Sequence, residues 1–196
     1  MGKMLLCDPV KSLGTVSRRL TVPYPANVLP TKLHRWKTPF LVFDRKVLRK
    51  KAAEFTGFRP KIETFYSVKA NSSPTLLEYL AALNLGFEVS SKEELRRVLA
   101  IRRSTSNIST SNPIKPPEFI DYAYRNGIDE FVVDSVEEIY KIASIAPGSK
   151  IIVRLLVDNT ESAWPLDKKY GVSTEEAVKL LVLCHDKGLR PLGLTF

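Results

Sequence analysis

The chain has 196 residues, 44% of them hydrophobic and 26% charged, enough for one globular domain with a real core. Its net charge of +9 lies mostly in residues 1–37, where Lys3, Lys11, Arg18, Arg19, Lys32, Arg35 and Lys37 face Asp8 alone. The rest is close to balance and has no basic stripe interleaved with aromatics, which argues against nucleic acid as a partner. No apolar run is long enough to span a bilayer, the apolar stretch after Met1 is too short for a signal peptide, and Leu6 stands where a myristoylation signal needs Ser or Thr. Cys7 and Cys184 provide no disulfide framework, which suits a reducing, cytoplasmic setting, and with His34 and His185 they make no metal-ligand cluster.

Residues 1–37 are punctuated by Pro9, Pro23, Pro25 and Pro30 and lack sustained periodicity, so they read as a loosely structured leader. The folded part is expected over 38–196. Phe40-Leu41-Val42-Phe43-Asp44 reads as a strand, with Asp44 capping a helix through Val47, Leu48, Ala52 and Phe55 that ends at Gly57. Residues 62–68 form the next strand and carry Lys69 at their end. Ser72-Ser73-Pro74 starts a helix with Leu76, Leu77, Leu80 and Leu83 as its apolar stripe. Residues 86–90 are a short strand, and Ser91-Lys92-Glu93-Glu94 is a capping box opening a helix that buries Leu95, Val98 and Leu99. Residues 107–112 predict a strand built of Ser and Thr, easiest to explain if its end faces a polar pocket. Pro116-Pro117 starts a helix through Phe119, Ile120 and Ala123 that stops at Asn126-Gly127. Residues 130–134 are a strand, Ser135-Val136-Glu137-Glu138 a second capping box, and residues 151–156 a strand. A polar loop over 158–171, a helix over 173–187 closed by Gly188, and a strand from Pro191 complete the chain.

Strand and helix alternate with short connections, which specifies right-handed βαβ units and a parallel sheet. Six strands follow from Ile62 on. The unit length is that of a (β/α)8 TIM-type barrel, which needs eight strands and about 250 residues. Neither a G-x-G-x-x-G nor a P-loop is present. In such proteins chemistry is done at the C-terminal ends of the strands. Lys69, at one such end, is either an ordinary strand-end lysine or an amine placed to form a Schiff base with an aldehyde.

The motifs after Lys69 weigh for the second reading. Tyr66-Ser67-Val68-Lys69-Ala70-Asn71 is close to a Y-A-V-K-A-N pattern, and Gly86-Phe87-Glu88-Val89-Ser90-Ser91 to G-F-D-x-A-S followed by an acidic residue. Ser111-Asn112-Pro113-Ile114-Lys115 looks like A-N-P-x-K, residues 131–138 resemble F-D-S-x-x-E-L, and Lys168-Lys169-Tyr170-Gly171 resembles K-F-G. In this order, over residues 38–196, the set resembles the pyridoxal-phosphate (PLP) dependent decarboxylases of ornithine, lysine, diaminopimelate and arginine, which have the alanine-racemase-like barrel. The wording of 164–171 and of Gly193-Leu194-Thr195-Phe196 looks most like the ornithine branch.

The resemblance implies a barrel of which about six of eight strands are present, without the family's C-terminal β domain. It implies PLP as cofactor on Lys69, a partly desolvated amine being the better nucleophile. It also implies a basic amino-acid substrate, ornithine first (to putrescine, in polyamine synthesis), and a homodimer with shared active sites. Glu88 and Glu94 match acidic residues near the cofactor; Arg154 suits an anionic or ring-oxygen partner; Asn112 and Ser111 could line the pocket; Lys169 lies in a loop near the dimer interface. Other readings are a strand-end carboxylate, a capping-box Glu, a buried ion pair and a turn before Pro113. The family's His-Val-Gly-Ser, phosphate loop and acidic partner of the pyridine nitrogen all follow the position of Phe196. The chain alone is therefore expected to show little or no activity and to leave its outer strands, and the strand at residues 40–44, without partners. The alternative function is a non-enzymatic relative that binds a regulator or a full-length subunit.

Overall fold

The computed structural model describes residues 5–6, 37, 39, 42–57, 62–101, 105–157 and 169–196. Contacts divide the chain into two units, Met1–Lys51 and Ala52–Phe196. In the first unit β1 (Leu5–Leu6) pairs antiparallel with β2 (Val42–Phe43), Leu5 opposite Phe43 and Leu6 opposite Val42. This corrects one expectation: the strand around Val42 has a partner, Leu5–Leu6, the two pairs satisfying each other's backbone groups. The cap on α1 (Arg45–Thr56) is the expected one: Asp44 Oδ1 accepts from the N–H groups of Lys46 (2.7 Å) and Val47 (3.3 Å). No residue of α1 is buried, and Phe55 is 58% exposed.

The second unit runs in strict β/α order. It comprises β3 (Phe65–Ser67), α2 (Pro74–Ala82), β4 (Gly86–Glu88), α3 (Lys92–Ile101), β5 (Ile108–Ser109), α4 (Pro117–Arg125), β6 (Glu130–Val133), α5 (Val136–Ile145), β7 (Lys150–Arg154), α6 (Thr174–Asp186) and β8 (Arg190–Thr195). The six expected strands are all there, in two parallel ladders, β3–β4–β5 and β6–β7–β8. Five of the six are shorter than the sequence suggests, and two of these show a local reason. The 62–68 strand ends at Ser67 because Val68–Ala70 tightens into a 3-10 turn. The 107–112 strand contracts to Ile108–Ser109, its Thr and Ser residues using side-chain rather than ladder bonds.

Phe87, Phe119, Phe131, Leu77, Leu95, Ile120, Ile139, Ile142 and Ile151 are fully buried and form the core between sheet and helices. Each such side chain stabilises the fold by roughly 1.5–3 kcal/mol. Among the described residues no ladder joins β5 to β6. Side chains bridge the seam instead. Thr110 Oγ1 donates to Glu130 O (2.8 Å), and Lys115 Nζ donates to Val132 O (2.6 Å), Asn112 O and Pro113 O (both 3.1 Å). Glu138 Oε1 pairs with that ammonium at 3.0 Å and accepts the Lys115 N–H at 3.0 Å. Lys141 Nζ bonds Glu138 Oε2 and Lys115 O. The second capping box is thus half realised: Ser135 Oγ accepts the Glu138 N–H, but the carboxylate binds Lys115 and Lys141. A complete box opens α6, with Ser173 Oγ and the Glu176 carboxylate each taking the other's N–H.

Candidate active site at the strand ends

The C-terminal ends of β3, β4 and β5 bring together residues that are distant in sequence. Parallel register sets Glu88 beside Ser67 on one side and Ser109 on the other. Two residues past Ser67, in the 3-10 turn, stands Lys69. It is exposed, not partly desolvated as the sequence suggests.

Glu88 is the centre of the arrangement. Its Oε2 accepts from Ser67 Oγ (2.5 Å), and its Oε1 accepts from Ser90 Oγ (2.8 Å) and Ser111 Oγ (2.6 Å). Burial pushes the Glu88 carboxyl up, but the Ser111, Ser67 and Ser90 hydroxyls and the nearby Lys69 charge outweigh it and hold its pKa below the ordinary value. Around this group the turn is pinned by Tyr66 OH, which donates to Asn71 O (3.2 Å), and by Asn71 Oδ1, which accepts the Ser73 N–H (2.9 Å). Tyr66 packs edge-on against Phe87, centroids 6.5 Å apart, and burial raises its phenol pKa despite the bond to Asn71.

The other candidates divide. Glu94 lies one bond from the cluster: its Oε2 accepts the Ser90 N–H (2.8 Å) and its own N–H goes to Ser91 Oγ (3.2 Å), so it caps α3 and steadies the segment that carries Ser90. Asn112 is adjacent through Ser111, but its Oδ1 accepts the Ile114 N–H (3.3 Å) within its own turn. Arg154 ends β7, in the other ladder, with its guanidinium over the Tyr170 ring, 5.2 Å from the centroid. Among the described residues that ring, and not an ion pair, is its contact. Leu155 and Val172 bridge there in parallel, and the Gly171 N–H donates to Asp134 Oδ2 (3.0 Å). Lys169 is exposed; Trp164-Pro165-Leu166-Asp167-Lys168 lies outside the described residues.

Ser67 and Ser90 are the members of this cluster that the sequence reading did not single out. The available signal is a serine near the end of each of three successive strands, Ser67, Ser90 and Ser111, but only folding shows that they meet. A cleft of about 210 Å³ opens elsewhere, lined by Thr56, Ile62, Glu63, Thr64, Phe65, Asn84, Gly86 and Asn107 at the N-terminal ends of β3 to β5. It lies at the wrong end for β/α chemistry, and Lys69 does not line it. Among the described residues no acidic, His or Cys cluster can hold a metal, and no helix is long and apolar enough to cross a membrane.

An exposed primary amine beside a fixed carboxylate, at the C-terminal edge of a parallel sheet, defines a site suited to an aldehyde-bearing ligand. The sequence profile of the pyridoxal-dependent decarboxylase, pyridoxal binding domain, matches residues 45–196. The chain belongs to this family of PLP-dependent amino-acid decarboxylases. Ornithine decarboxylase 2 of Drosophila melanogaster is 33% identical over 156 residues, which cover 79% of this chain and 40% of that protein. The lysine decarboxylase structure from Selenomonas ruminantium is 31% identical with a TM-score of 0.67, covering 74% of this chain and 39% of that one. The arginine decarboxylase of Paramecium bursaria Chlorella virus is 27% identical with a TM-score of 0.72, covering 76% and 40%. The chain spans 36% and 40% of the length of the ornithine decarboxylases of Schizosaccharomyces pombe and Drosophila melanogaster that it matches. The fold is that of the family's alanine-racemase-like barrel, here represented by six of its parallel strands.

Proposed function

We propose that Lys69 is the covalent attachment point of PLP and that the site serves decarboxylation of a basic amino acid, with ornithine, giving putrescine, as the first candidate. The observation that carries this reading is the exposed Lys69 amine at the end of β3 beside an ionised Glu88. These residues fit the group: an aldehyde needs an accessible primary amine, and a fixed anion nearby orients cationic nitrogen. When bound, PLP supplies the electron sink that accepts the pair left as the α-carboxylate departs as carbon dioxide. Lys69 contributes the amine. Glu88 holds a negative charge in one place, Ser111 and Asn112 border it, and the Arg154 guanidinium at the end of β7 offers a cation for an anionic oxygen.

Borohydride fixation of PLP followed by peptide mapping tests the assignment. A PLP-sized mass increase is expected on the peptide containing Lys69 and its loss in K69A; fixation spread over other lysines at saturating PLP overturns it. Substrate class is read from protection, because an amino acid that takes the cofactor off the lysine lowers fixation. Ornithine is expected to protect best, then lysine, then arginine. Equal protection by an acidic amino acid sinks the basic-substrate reading.

A further inference from the structure

Each of the three serines around Glu88 departs from the motif it belongs to. Ser67 stands at the second position of Y-A-V-K-A-N, Ser90 at the fifth of G-F-D-x-A-S and Ser111 at the first of A-N-P-x-K, where those patterns have alanine. Glu88 stands where the second pattern has aspartate. The four departures, on three strands, converge on one carboxylate. Taken singly, each inserts a polar group into a half-buried place at a cost. Taken together, the extra methylene of Glu88 carries its carboxylate among three hydroxyls, and every added group is satisfied. A glutamate with three rotatable side-chain bonds is thereby fixed in one position. Both oxygens are engaged, with two donors on Oε1 and one on Oε2. Lys69 stands two residues past Ser67, the residue that parallel register sets beside Glu88, and among the described residues its charge reaches this carboxylate.

We propose that Ser67, Ser90 and Ser111 are positioning residues that clamp Glu88 so that its carboxylate does not swing onto Lys69 and hold the ammonium as an ion pair. The clamp keeps the Lys69 amine available to an aldehyde. Its importance for catalysis rests on the reading of Lys69 as the cofactor lysine; its effect on amine availability does not. A released glutamate reaches further than an aspartate and pairs with a neighbouring exposed amine, so the clamp answers a problem that Glu88 itself creates.

The test uses the 196-residue chain and a reagent independent of PLP. Trace acetylation with acetic anhydride is followed by mass spectrometry at the Lys69 peptide, with exposed Lys92 as internal reference. The triple variant S67A/S90A/S111A is expected to slow acetylation of Lys69 about two- to fivefold relative to Lys92, the factor a surface ion pair supplies. Adding E88Q to the triple variant restores the rate, since no anion is left to swing. At position 111 the matched pair S111T and S111V separates the hydroxyl from packing: Thr keeps the wild-type rate and Val slows it. In parallel, the carbon-13 carboxyl signal of Glu88, assigned by its loss in E88Q, titrates at higher pH in the triple variant. An unchanged Lys69 rate in the triple variant, or a slowing that E88Q does not reverse, overturns the clamp. Acetylation that behaves as stated while PLP is not fixed on Lys69 supports the clamp and overturns the cofactor reading instead.

Discussion

A strand-end carboxylate can be solvated, paired or hydrogen-bonded, and Glu88 shows what decides. Its position is half-buried, which alone raises its pKa, yet three hydroxyl donors and Lys69 bring it below its ordinary value of 4.5. A folded-state pKa below the unfolded one means that the group contributes stability in full above about pH 4.5 and loses it as pH falls through the folded value. E88Q removes that contribution, so its urea midpoint is expected to fall less steeply than that of the wild type below pH 4.5. Equal slopes for the two proteins contradict the hydrogen-bond account. Cys184 shows the opposite balance: burial without donors pushes its thiol up to about 11, which fits a core residue and not a nucleophile.

The elements owe their ends to local chemistry that the sequence displays, and their use to contacts that it does not. Gly171 has a φ of +99°, and a Cβ there lies 2.7 Å from Leu155 O and Leu156 N. Gly188 also has a positive φ (+72°) but open space around its missing Cβ. G188A is therefore expected to cost about 1 kcal/mol, and G171A at least 1–3 kcal/mol more as the chain moves off the end of β7. Urea denaturation of the two variants measures the difference. Equal losses mean that the Gly171 turn gives way without strain. The capping box of α6 makes a milder case: S173A forfeits about 1 kcal/mol on the same measurement, and S173D retains most of it.

For the whole β/α unit the critical place is the seam between β5 and β6, where a buried lysine does what ladder bonds do elsewhere. Lys115 and Glu138 side chains are 0% and 4% exposed, and their pairing ties the β5–α4 connection to α5. Removing one charge of such a pair strands the other. K115A is expected to lose about 3–5 kcal/mol by chemical denaturation, whereas the double change K115M/E138L recovers most of that loss. Burial drives the Lys115 pKa down to about 8 against the attraction of Glu138. The unfolded chain then binds this proton more readily than the folded one between about pH 8 and 10.5, so stability from this group rises with pH across that window. K115M flattens that rise. A wild-type curve that falls over the same range refutes the assignment. At the outer edge of the second ladder β8 leaves Leu192 and Leu194 more than half exposed, an apolar edge that invites pairing.

The sequence alone determined the alternation of strand and helix, the parallel ladders, the caps at Asp44, Ser91 and Ser135, and the family whose motif around Lys69 follows its first barrel strand. These follow from periodicity, capping residues and colinear motifs, all of which are local. Only the tertiary structure showed the antiparallel partner of Val42–Phe43, the exposure of Lys69, the Lys115–Glu138 pair and the meeting of Ser67, Ser90 and Ser111 on Glu88. Parallel register joins residues some twenty positions apart, and whether a hydroxyl or a carboxylate finds a partner depends on which strand ends lie side by side. A one-dimensional pattern does not carry that information.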